Sequence, residues 1–275
     1  MIVVTGATGN VGRPLVRALV AAGERVTAVS RRIPGAQVPA GVRHHQADLT
    51  RPKDLEPALD GAEALFLLTS GDFMAAGGDL GDVLDVVRTG GVRRVVLLSS
   101  QGVGTGDHPS ALEDAVRRSG LDWTVLRPGG FHSNTLQWAE AVRAHRLVTA
   151  PFGDVALPTV DPDDIAGVAA VALRDAAHDG QVYELTGPAA LSPRQQAAAI
   201  GDALGEPVRF VEQTRDEAKA AMLRFMPEPV ADSTLHLLGT PPPALQRVAP
   251  DVERLLGRPA RSFAEWAKDN VSAFR

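Results

Sequence analysis

Short apolar runs alternate with amphipathic segments along the first half of the chain, a pattern typical of α/β proteins. The predicted strands comprise residues 2–5, 25–30, 42–46, 64–69, 94–99, 123–127, 181–185 and 208–212. The predicted helices comprise residues 11–22, 53–59, 80–89, 110–118, 164–173, 192–204, 214–225, 232–238 and 262–271. Strand–helix alternation at this spacing predicts a Rossmann-type, doubly wound parallel sheet with helices on both faces.

A glycine-rich run, TGATGNVG at residues 5–12, joins the first predicted strand to the first predicted helix. In this position Gly6 permits a tight turn, Gly9 lets the backbone approach a pyrophosphate, and Gly12 permits close helix–strand packing. The following helix presents unpaired N–H groups and a positive dipole end to an anion. A plain glycine-rich turn is the alternative, but the strand before the run and the helix after it favour a dinucleotide site.

The end of the second predicted strand distinguishes the two nicotinamide cofactors. An Asp or Glu there binds the ribose 2′-hydroxyl of NADH and repels the 2′-phosphate of NADPH. This chain has Ser30, Arg31 and Arg32 instead, which suit a phosphate and predict NADPH. Two solvated surface arginines are the alternative. Asp48 and Leu49 follow the third strand, where the adenine edge is expected, although Asp48 is equally placed to cap the next helix.

The second half of the chain is less regular and predicts a smaller lobe. We expect residues 1–130 and about 155–187 to form the NADP-binding Rossmann domain. Residues from about 131 to 154 and 188–275 are expected to form a small C-terminal α/β substrate-binding lobe, or lid. Two four-residue patterns match the capping box at a helix start, one at Ser110 with Glu113 and one at Ser262 with Glu265.

The composition narrows the chemistry. None of the 275 residues is cysteine, which excludes disulfides, a thiolate nucleophile and a Cys-ligated metal. The net charge of −5 argues against nucleic acid or an anionic membrane as a partner. No uninterrupted apolar stretch approaches about 18 residues, and the N-terminus does not look like a signal peptide, so we expect a cytoplasmic protein. The oligomeric state, a homo-oligomer included, stays open.

Further motifs carry a family resemblance. They are LLSSQG at 97–102, LDWTVLRPGGF at 121–131, PFGD at 151–154, VDPDDIA at 160–166 and FAEWA at 263–267. Together with the TGATGNVG run, they resemble the NmrA-like branch of the atypical short-chain dehydrogenase/reductases, and within it the quinone-reductase type. The resemblance covers most of the chain and implies the fold and an NAD(P)H cofactor. It does not by itself imply the reaction.

The resemblance also implies cofactor contacts at the carboxyl ends of the strands, where ligands bind in such sheets. In the glycine motif these are Gly6, Thr8, Gly9, Asn10, Val11 and Gly12, and further along the chain they are Thr69, Ser70, Gly71, Ser99, Ser100, Pro128, Gly129, Gly130 and Phe131. The positions after the fourth strand border the ribose, and the RPGGF turn runs beside the nicotinamide. Loop capping is the alternative for Thr69 and Ser70, and core packing for Phe131.

The usual catalytic pair of this superfamily, Tyr-x-x-x-Lys, is absent. The single tyrosine, Tyr183, has Gly187 four positions on, and the lysines are Lys53, Lys219 and Lys268. Positioned general acid catalysis contributes about 10²–10⁴ to a rate. Reduction of a simple ketone creates an alkoxide that needs a proton donor, whereas a reduced quinone is phenol-like, with a pKa of roughly 10. The missing acid therefore favours quinones or conjugated acceptors such as enones.

Two histidines are candidates for a replacement proton donor, since an imidazole donates near neutral pH. His108 lies near the place of the absent tyrosine, and His132 follows Phe131 on the expected nicotinamide side. An ordinary surface-loop histidine is the alternative for each. The catalytic residue is not determined by the sequence, and the candidates are Ser100, His108 and His132.

An apolar substrate pocket is predicted from residues after the fourth strand and after the RPGGF turn. Its predicted members are Phe73, Met74, His132, Asn134 and Trp138, with Gln137, Met222, Phe225 and Met226 as possible additions. Lid core is the alternative for Met222 and Phe225. No metal is predicted, because the histidines lack ligand spacing and Asp161, Asp163 and Asp164 are better explained as helix caps.

These observations together favour an NADPH-dependent oxidoreductase. It would transfer a hydride to a small conjugated or quinone-like molecule without the Tyr/Lys pair. The alternative is a non-catalytic NADP(H)-sensing regulatory protein that acts through a protein partner, and a lyase or isomerase on the same fold is a third hypothesis. A sensor would bind both redox forms of the cofactor and turn over neither.

Overall fold

The structure, a computed structural model, describes residues 1–32 and 39–275. Its strands are β1 (Ile2–Val4), β2 (Val26–Ser30), β3 (Arg43–Gln46), β4 (Ala64–Leu67), β5 (Arg94–Leu98), β6 (Asp122–Pro128), β7 (Leu147–Ala150), β8 (Gln181–Leu185) and β9 (Arg209–Glu212). Seven strands form one sheet in the order β3-β2-β1-β4-β5-β6-β8, and all neighbours are parallel. The predicted doubly wound sheet is confirmed, and its strand order reverses between β1 and β4.

Thirteen α-helices lie within the described residues. They are α1 (Gly12–Ala21), α2 (Glu56–Leu59), α3 (Gly71–Ala75), α4 (Leu80–Thr89), α5 (Gln101–Gly104), α6 (Ala111–Arg118), α7 (Ala139–His145), α8 (Pro162–Arg174), α9 (Pro193–Leu204), α10 (Arg215–Met222), α11 (Glu228–Gly239), α12 (Asp251–Leu256) and α13 (Phe263–Asp269). Shorter 3₁₀ turns occupy Pro52–Leu55, His132–Trp138, Ala176–His178, Pro243–Gln246 and Val271–Ala273. In α4, Leu80, Val83, Leu84 and Val87 recur at the spacing of one helix face, and all four are buried.

The chain divides into two units. Unit 1 comprises Met1–Pro128, Pro162–Leu185 and Asp251–Gly257, and unit 2 comprises Gly129–Asp161, Thr186–Pro250 and Arg258–Arg275. Unit 1 holds the seven-stranded sheet, and unit 2 holds the parallel pair β7–β9. The predicted assignment of one lobe to the cofactor and the other to the substrate stays a prediction.

The core of unit 1 follows from the alternation of side chains along its strands. Val3, Leu65 and Leu97 project from neighbouring strands to the same face of the sheet, where they pack with residues of α4 and α6. On the other face α1 packs against α8. Each fully buried leucine contributes roughly 1.5–3 kcal/mol of stability. Because helices cover both faces of the sheet, side chains on both sides of each strand are buried. This explains why these strands are continuous apolar runs in the sequence.

Unit 2 packs α9 and α13 around an aromatic cluster that contains Phe263, Trp266 and Phe274. The predicted capping box at the start of α13 is confirmed. The backbone N–H of Glu265 donates to Ser262 Oγ at 3.2 Å, and the backbone N–H of Ser262 donates to Glu265 Oε2 at 2.8 Å. This reciprocal pair satisfies two backbone donors at the helix start.

The other predicted capping box, Ser110 with Glu113, is wrong. Ser110 has helical backbone angles, and its side chain caps no backbone N–H. The Ser110 hydroxyl donates instead to Asp114 at 2.7 Å. Glu113 is buried, and its carboxylate is hydrogen-bonded to Arg127. The Glu113 carboxylate binds the distant Arg127, so it is not available to the backbone N–H of Ser110 as a capping box requires.

Element boundaries differ from the sequence patterns in a few places. The helix predicted over 53–59 is a 3₁₀ turn followed by α2, and the one predicted over 214–225 ends at Met222. The elements α3, α5, α7, α12 and β7 were not predicted, because each is too short to show an apolar period. No helix in the described ranges is both long and apolar enough to cross a membrane.

Candidate functional site

The glycine loop after β1 is tightly folded. Gly6 has a φ of +61°, a conformation that strains other residues. The N–H of Gly9 donates to the carbonyl oxygen of Gly6 at 2.9 Å. A methyl group at Gly12 would lie only 2.2 Å from that same oxygen. The loop therefore requires glycine where α1 begins directly against it.

The N-terminus of α1 is open towards an anion. No side chain caps this ten-residue helix, and no acidic residue lies in its first turn. Asn10 is exposed and Thr8 half-buried beside it, whereas Val11 is buried. An uncapped helix start offers backbone donors and about half a positive charge. These residues fit the pyrophosphate of a dinucleotide.

Thr5 joins the two strands at the point where the strand order reverses. Its hydroxyl donates to the carbonyl oxygen of Phe66 at 3.0 Å and accepts from the N–H of Leu68 at 2.9 Å. Both partners belong to β4 or to the residue just after it. The hydroxyl thus holds the glycine loop and the end of β4 at the same edge of the sheet.

Ser30, at the end of β2, does not present its hydroxyl to solvent. The residue is 7% exposed, its hydroxyl donates to the carbonyl oxygen of Arg32 at 2.5 Å, and His44 Nε2 lies 2.9 Å away. The predicted contact between Ser30 and a phosphate stays a prediction. In this structure the Ser30 side chain holds the backbone that carries the two arginines.

Arg31 is exposed and forms an ion pair with Asp72 in the first turn of α3. The hydrogen bond that Arg31 donates to Asp72, together with the negative charge of Asp72, raises the pKa of Arg31. Gln46 Nε2 donates to the carbonyl oxygen of Arg31 at 3.0 Å. Arg32 is also exposed. Two guanidinium groups, one of them paired with Asp72, thus lie at the sheet edge where the sequence predicts a 2′-phosphate.

Asp48 forms a local turn after β3. Its Oδ1 accepts from the backbone N–H of Thr50 at 3.0 Å and from the Thr50 hydroxyl at 2.9 Å. The backbone hydrogen bond of Thr50 is the largest cause of a lowered pKa at Asp48. Asp48 is not the capping residue of the 3₁₀ turn, which is Arg51. Leu49 is half-buried against the core of unit 1, and its predicted place at the adenine edge stays a prediction.

The residues after β4 form a short connection into α3. Thr69 and Ser70 are half-buried, Gly71 is exposed, and Ser70 Oγ accepts from the backbone N–H of Phe73 at 3.3 Å. Ser70 thus has the capping role that the sequence left open. Phe73 is 2% exposed within the core of unit 1, and its predicted place in the substrate pocket stays a prediction. Met74, by contrast, is 48% exposed.

Two serines after β5 have different partners. Ser99 Oγ donates to Glu113 at 2.6 Å, and Ser100 Oγ lies 2.8 Å from His108 Nδ1. The N–H of Gly102 also donates to Ser100 Oγ at 3.1 Å. A methyl group at Gly102 would lie 2.6 Å from the His108 ring, so only glycine allows this histidine its position. The structure therefore brings together two of the three predicted catalytic candidates, both at least partly exposed.

The buried side chain of Glu113 connects several elements of this region. Its buried carboxylate accepts from Arg127 Nε at 2.9 Å, from Arg127 Nη2 at 2.7 Å and from Arg117 at 2.8 Å. Burial alone would raise the pKa of Glu113, but hydrogen bonds from Arg127 and Ser99 outweigh it and leave the pKa lowered. The network ties α6 to β6 and holds Ser99 at the end of β5.

The RPGGF turn begins at the end of β6, with Pro128 buried in unit 1, and continues into unit 2. There the carbonyl oxygen of Gly130 accepts from the N–H of Val160 at 2.8 Å, and Phe131 is half-buried in a bridge with Val160. Gly129 precedes them at the unit boundary. The predicted contact of this turn with the nicotinamide stays a prediction.

His132 is not a surface histidine. It is 2% exposed, its Nδ1 lies 2.8 Å from the hydroxyl of Thr159, and its Nε2 lies 3.3 Å from the carbonyl oxygen of Arg261. Its ring packs edge-on against Phe263. With both nitrogens held inside unit 2, His132 has no nitrogen to offer a substrate in this structure, which argues against its predicted donor role.

The remaining pocket candidates lie in unit 2. Asn134 is exposed, and Trp138 is partly buried against the unit 2 core. Phe225 is 71% exposed, so it is not lid core. Because the predicted pocket draws on both units, its joint role stays a prediction.

Tyr183 cannot replace the missing acid. It lies in β8, is 4% exposed, and its hydroxyl is 2.8 Å from His178 Nδ1. Burial raises its pKa. Among the described residues, no group of three or more His, Cys, Asp or Glu side chains is arranged to hold a metal ion.

Sequence reasoning missed three residues of this region. Asp72 lies in α3, after the end of β4, and no recognisable motif surrounds it. Glu113 was predicted to belong to a capping box at the start of α6. Gln101, next to Ser100, is buried, and its side-chain nitrogen has no recorded hydrogen-bond partner in the described part of the chain. Arg117, four positions after Glu113 on the same helix face, is the one local signal that could have indicated an ion pair there.

Comparison with known proteins gives a consistent assignment. A sequence model of the NAD(P)H-binding family matches residues 6–176. The whole chain is 37% identical to (4-alkanoyl-5-oxo-2,5-dihydrofuran-3-yl)methyl phosphate reductase of Streptomyces griseus and covers 99% of that protein. It is also 36% identical over its whole length to an NAD(P)H azoreductase of Xenophilus azovorans, again covering 99% of the relative.

Solved structures share the fold. A quinone oxidoreductase of Escherichia coli, solved in complex with NADPH, is 26% identical and superposes with a TM-score of 0.82 over 98% of this chain and 99% of its own. The transcriptional regulator NmrA in complex with NADP is 22% identical, with a TM-score of 0.76 over 98% of this chain and 95% of its own. At that identity, the second likeness concerns the fold alone.

Proposed function

Since the chain belongs to the NAD(P)H-binding family, as its motifs predict, we propose that it is an NADPH-dependent reductase of conjugated or quinone-like small molecules. The general activity, that of an NAD(P)H-dependent oxidoreductase, is supported by full-length relatives that are reductases. The preference for conjugated or quinone-like acceptors is supported by the Ser100–His108 pair. This pair lies after β5, in the region where the superfamily's tyrosine and lysine are missing.

The cofactor half of the proposal rests on groups within unit 1. The glycine loop and the open start of α1 bind the pyrophosphate, and Arg31 with Arg32 binds the 2′-phosphate. When bound, NADPH supplies a hydride. The exposed end of β5 lies two strands from the glycine loop, on the side away from β2, which is the nicotinamide side in this strand order.

The acceptor half rests on the demand for a proton. Reduction adds one hydride and one proton to the acceptor, and a conjugated acceptor spreads the charge that develops before the proton arrives. A proton can pass from His108 Nδ1 to Ser100 Oγ while the Ser100 hydroxyl gives its own proton to the acceptor. The relatives' names point the same way, because a 4-alkanoyl-5-oxo-dihydrofuran and an azo compound are both conjugated.

The proposal is tested by following the absorbance of NADPH with purified protein and four acceptors: a naphthoquinone, an enone, an azo dye and a simple ketone. We expect turnover with the conjugated acceptors and at most trace turnover with the ketone. Tight NADPH binding without turnover of any acceptor would contradict the proposal and favour the NADP(H)-sensing alternative. The cytoplasmic location stays a prediction that this assay does not address.

His108→Asn should separate the two kinds of acceptor. Because the enone depends more on a donated proton than the quinone does, we expect kcat to fall about 10–100-fold with the enone and by less than about threefold with the quinone. The solvent deuterium isotope effect on kcat with the enone should fall as well. The binding of NADPH should not change.

His145→Asn is the matched control, because His145 is exposed in α7 and has no recorded hydrogen bond among the described residues. It should leave both kcat values unchanged. An equal loss with both acceptors after His108→Asn would mean that the histidine has a structural role only.

A further inference from the structure

The Arg31–Asp72 ion pair connects two loops that flank the glycine loop. Arg31 directly follows β2, and Asp72 lies in α3, which follows β4. In the sheet, β2 and β4 are the two neighbours of β1. All three strands are parallel, so their carboxyl ends lie on one edge. The ion pair therefore bridges the edge on which the glycine loop lies.

The dimensions of the sheet show what the pair spans. Neighbouring strands lie about 4.8 Å apart, so the ends of β2 and β4 are separated by roughly 10 Å. In this fold a dinucleotide crosses the same edge, with its pyrophosphate at the loop after β1 and its adenosine ribose towards β2. The ion pair thus spans the position of the pyrophosphate, with Arg31 on the adenosine side and Asp72 on the side away from β2.

The chemistry of the pair matters because Asp72 and a 2′-phosphate would use the same partner. Arg31 is the guanidinium that the proposed function assigns to that phosphate, and the Asp72 carboxylate already accepts a hydrogen bond from its Nη1. A carboxylate and a phosphate both match the fork of a guanidinium. Asp72 uses the Nη1 end of the guanidinium, so a phosphate that takes that end must displace the carboxylate.

Exposure makes this exchange feasible. The side chains of Arg31 and Asp72 are 55% and 77% exposed. An ion pair this open to solvent is weak and is readily replaced. The pair of Glu113 with Arg127 is a contrast, since that carboxylate is 1% exposed and is held by several donors. A second carboxylate, Asp48, also acts on the charge of Arg31 from the β3 side.

We propose that Asp72 is a specificity-determining residue that competes with the 2′-phosphate of NADPH for Arg31. The inference rests on the proposed function, because it requires Arg31 to bind that phosphate. Since NADH has a hydroxyl in place of the phosphate, it leaves the ion pair in place and meets no such competition. Asp72 therefore weakens NADPH binding selectively and narrows the difference in affinity between the two cofactors.

The test is a set of dissociation constants measured by calorimetry for NADPH and NADH. Asp72→Asn keeps the size and the capped start of α3 but removes the competing charge. We expect it to tighten NADPH binding about three- to tenfold, through loss of the ion pair and of the repulsion between carboxylate and phosphate. NADH binding should change by less than about twofold, because no phosphate reaches Arg31. The fragment 2′,5′-ADP carries the phosphate, so its binding should tighten as that of NADPH does. The binding of ADP, which lacks this phosphate, should change as little as that of NADH.

Asp82→Asn is the matched control. It removes the same charge from the first turn of α4, where Asp82 is exposed and has no recorded contact with Arg31. This variant should leave the ratio of the two dissociation constants unchanged. In an Arg31→Gln background, Asp72→Asn should lose most of its effect on NADPH.

The outcomes distinguish this inference from the function on which it rests. A wild-type preference for NADPH that Asp72→Asn leaves unchanged, or weakens, overturns the role of Asp72 alone. A wild-type protein that binds NADH more tightly than NADPH overturns the proposed NADPH preference, and this inference with it.

Discussion

Gly12→Ala is expected to abolish useful NADPH binding. The added methyl group would lie 2.2 Å from the carbonyl oxygen of Gly6 and 2.8 Å from the Cα of Ala7. Both obstacles are backbone atoms in a loop that hydrogen bonds already hold, so the start of α1 must move away from it. Misplacement by about 1 Å costs on the order of 100-fold in the rate of a catalysed step. We expect a loss of similar size in NADPH affinity, because pyrophosphate binding depends on the same kind of alignment. Calorimetric titration with NADPH should show at least this loss.

The control for Gly12→Ala is Gly167→Ala in the middle of α8. There a methyl group would meet only the flexible end of Leu256, at 3.2 Å. Alanine also favours the helix by up to about 1 kcal/mol relative to glycine. The control should therefore retain both its melting temperature and its affinity for NADPH. If Gly12→Ala binds NADPH as the wild type does, the glycine loop does not hold the pyrophosphate in the way described.

Glu113→Gln is expected to give the largest loss of stability among substitutions outside the glycine loop. The neutral amide leaves Arg127 and Arg117 without the carboxylate that both contact. Removing one partner of a buried ion pair costs about 3–5 kcal/mol. We expect about 3 kcal/mol, since the arginines reach solvent, with side-chain exposures of 18% and 32%. Urea unfolding followed by circular dichroism gives the free energy directly.

Asp114→Asn serves as the control for this substitution. It removes a neighbouring carboxylate that is 40% exposed and pairs with Arg117 at 3.4 Å, and such a surface pair contributes at most about 1 kcal/mol. The pH dependence adds a second readout. The pKa of Glu113 is lower in the folded state than in the unfolded chain. Its contribution is therefore complete above the unfolded value of about 4.3 and is lost as the pH falls through the folded one. Below about pH 4.3 the wild type should lose stability more steeply than Glu113→Gln.

Local signals in the sequence predicted most of the sheet and the glycine loop. A buried strand shows itself by its own apolar run, and the loop is defined by three glycines within a few residues of each other. The capping box at Ser262 was also correct, because Glu265 has no competing partner stronger than the helix start. These features depend on residues that are neighbours in the chain.

Predictions failed where a distant residue decides the outcome. The same capping pattern at Ser110 was wrong because Arg127, fourteen positions after Glu113, binds the carboxylate first. Arg31 and Asp72 are 41 positions apart, and no local pattern connects them. The apolar character of Phe73 could not reveal whether it lines a pocket or fills the core. Burial of His132 likewise depends on residues near the other end of the chain.

The assembly of unit 1 from three separate segments has a consequence for biosynthesis. Strand β6 pairs with β8, so its outer edge stays open until residues 181–185 have left the ribosome. At about 5–20 residues per second, synthesis of the intervening stretch takes roughly 3–10 s. A strand edge that stays unpaired for this time can pair with a strand of another nascent chain. The charges of Asp122 and Arg127 and the ring of Pro128 lie on this strand, and such residues protect an edge until its partner arrives.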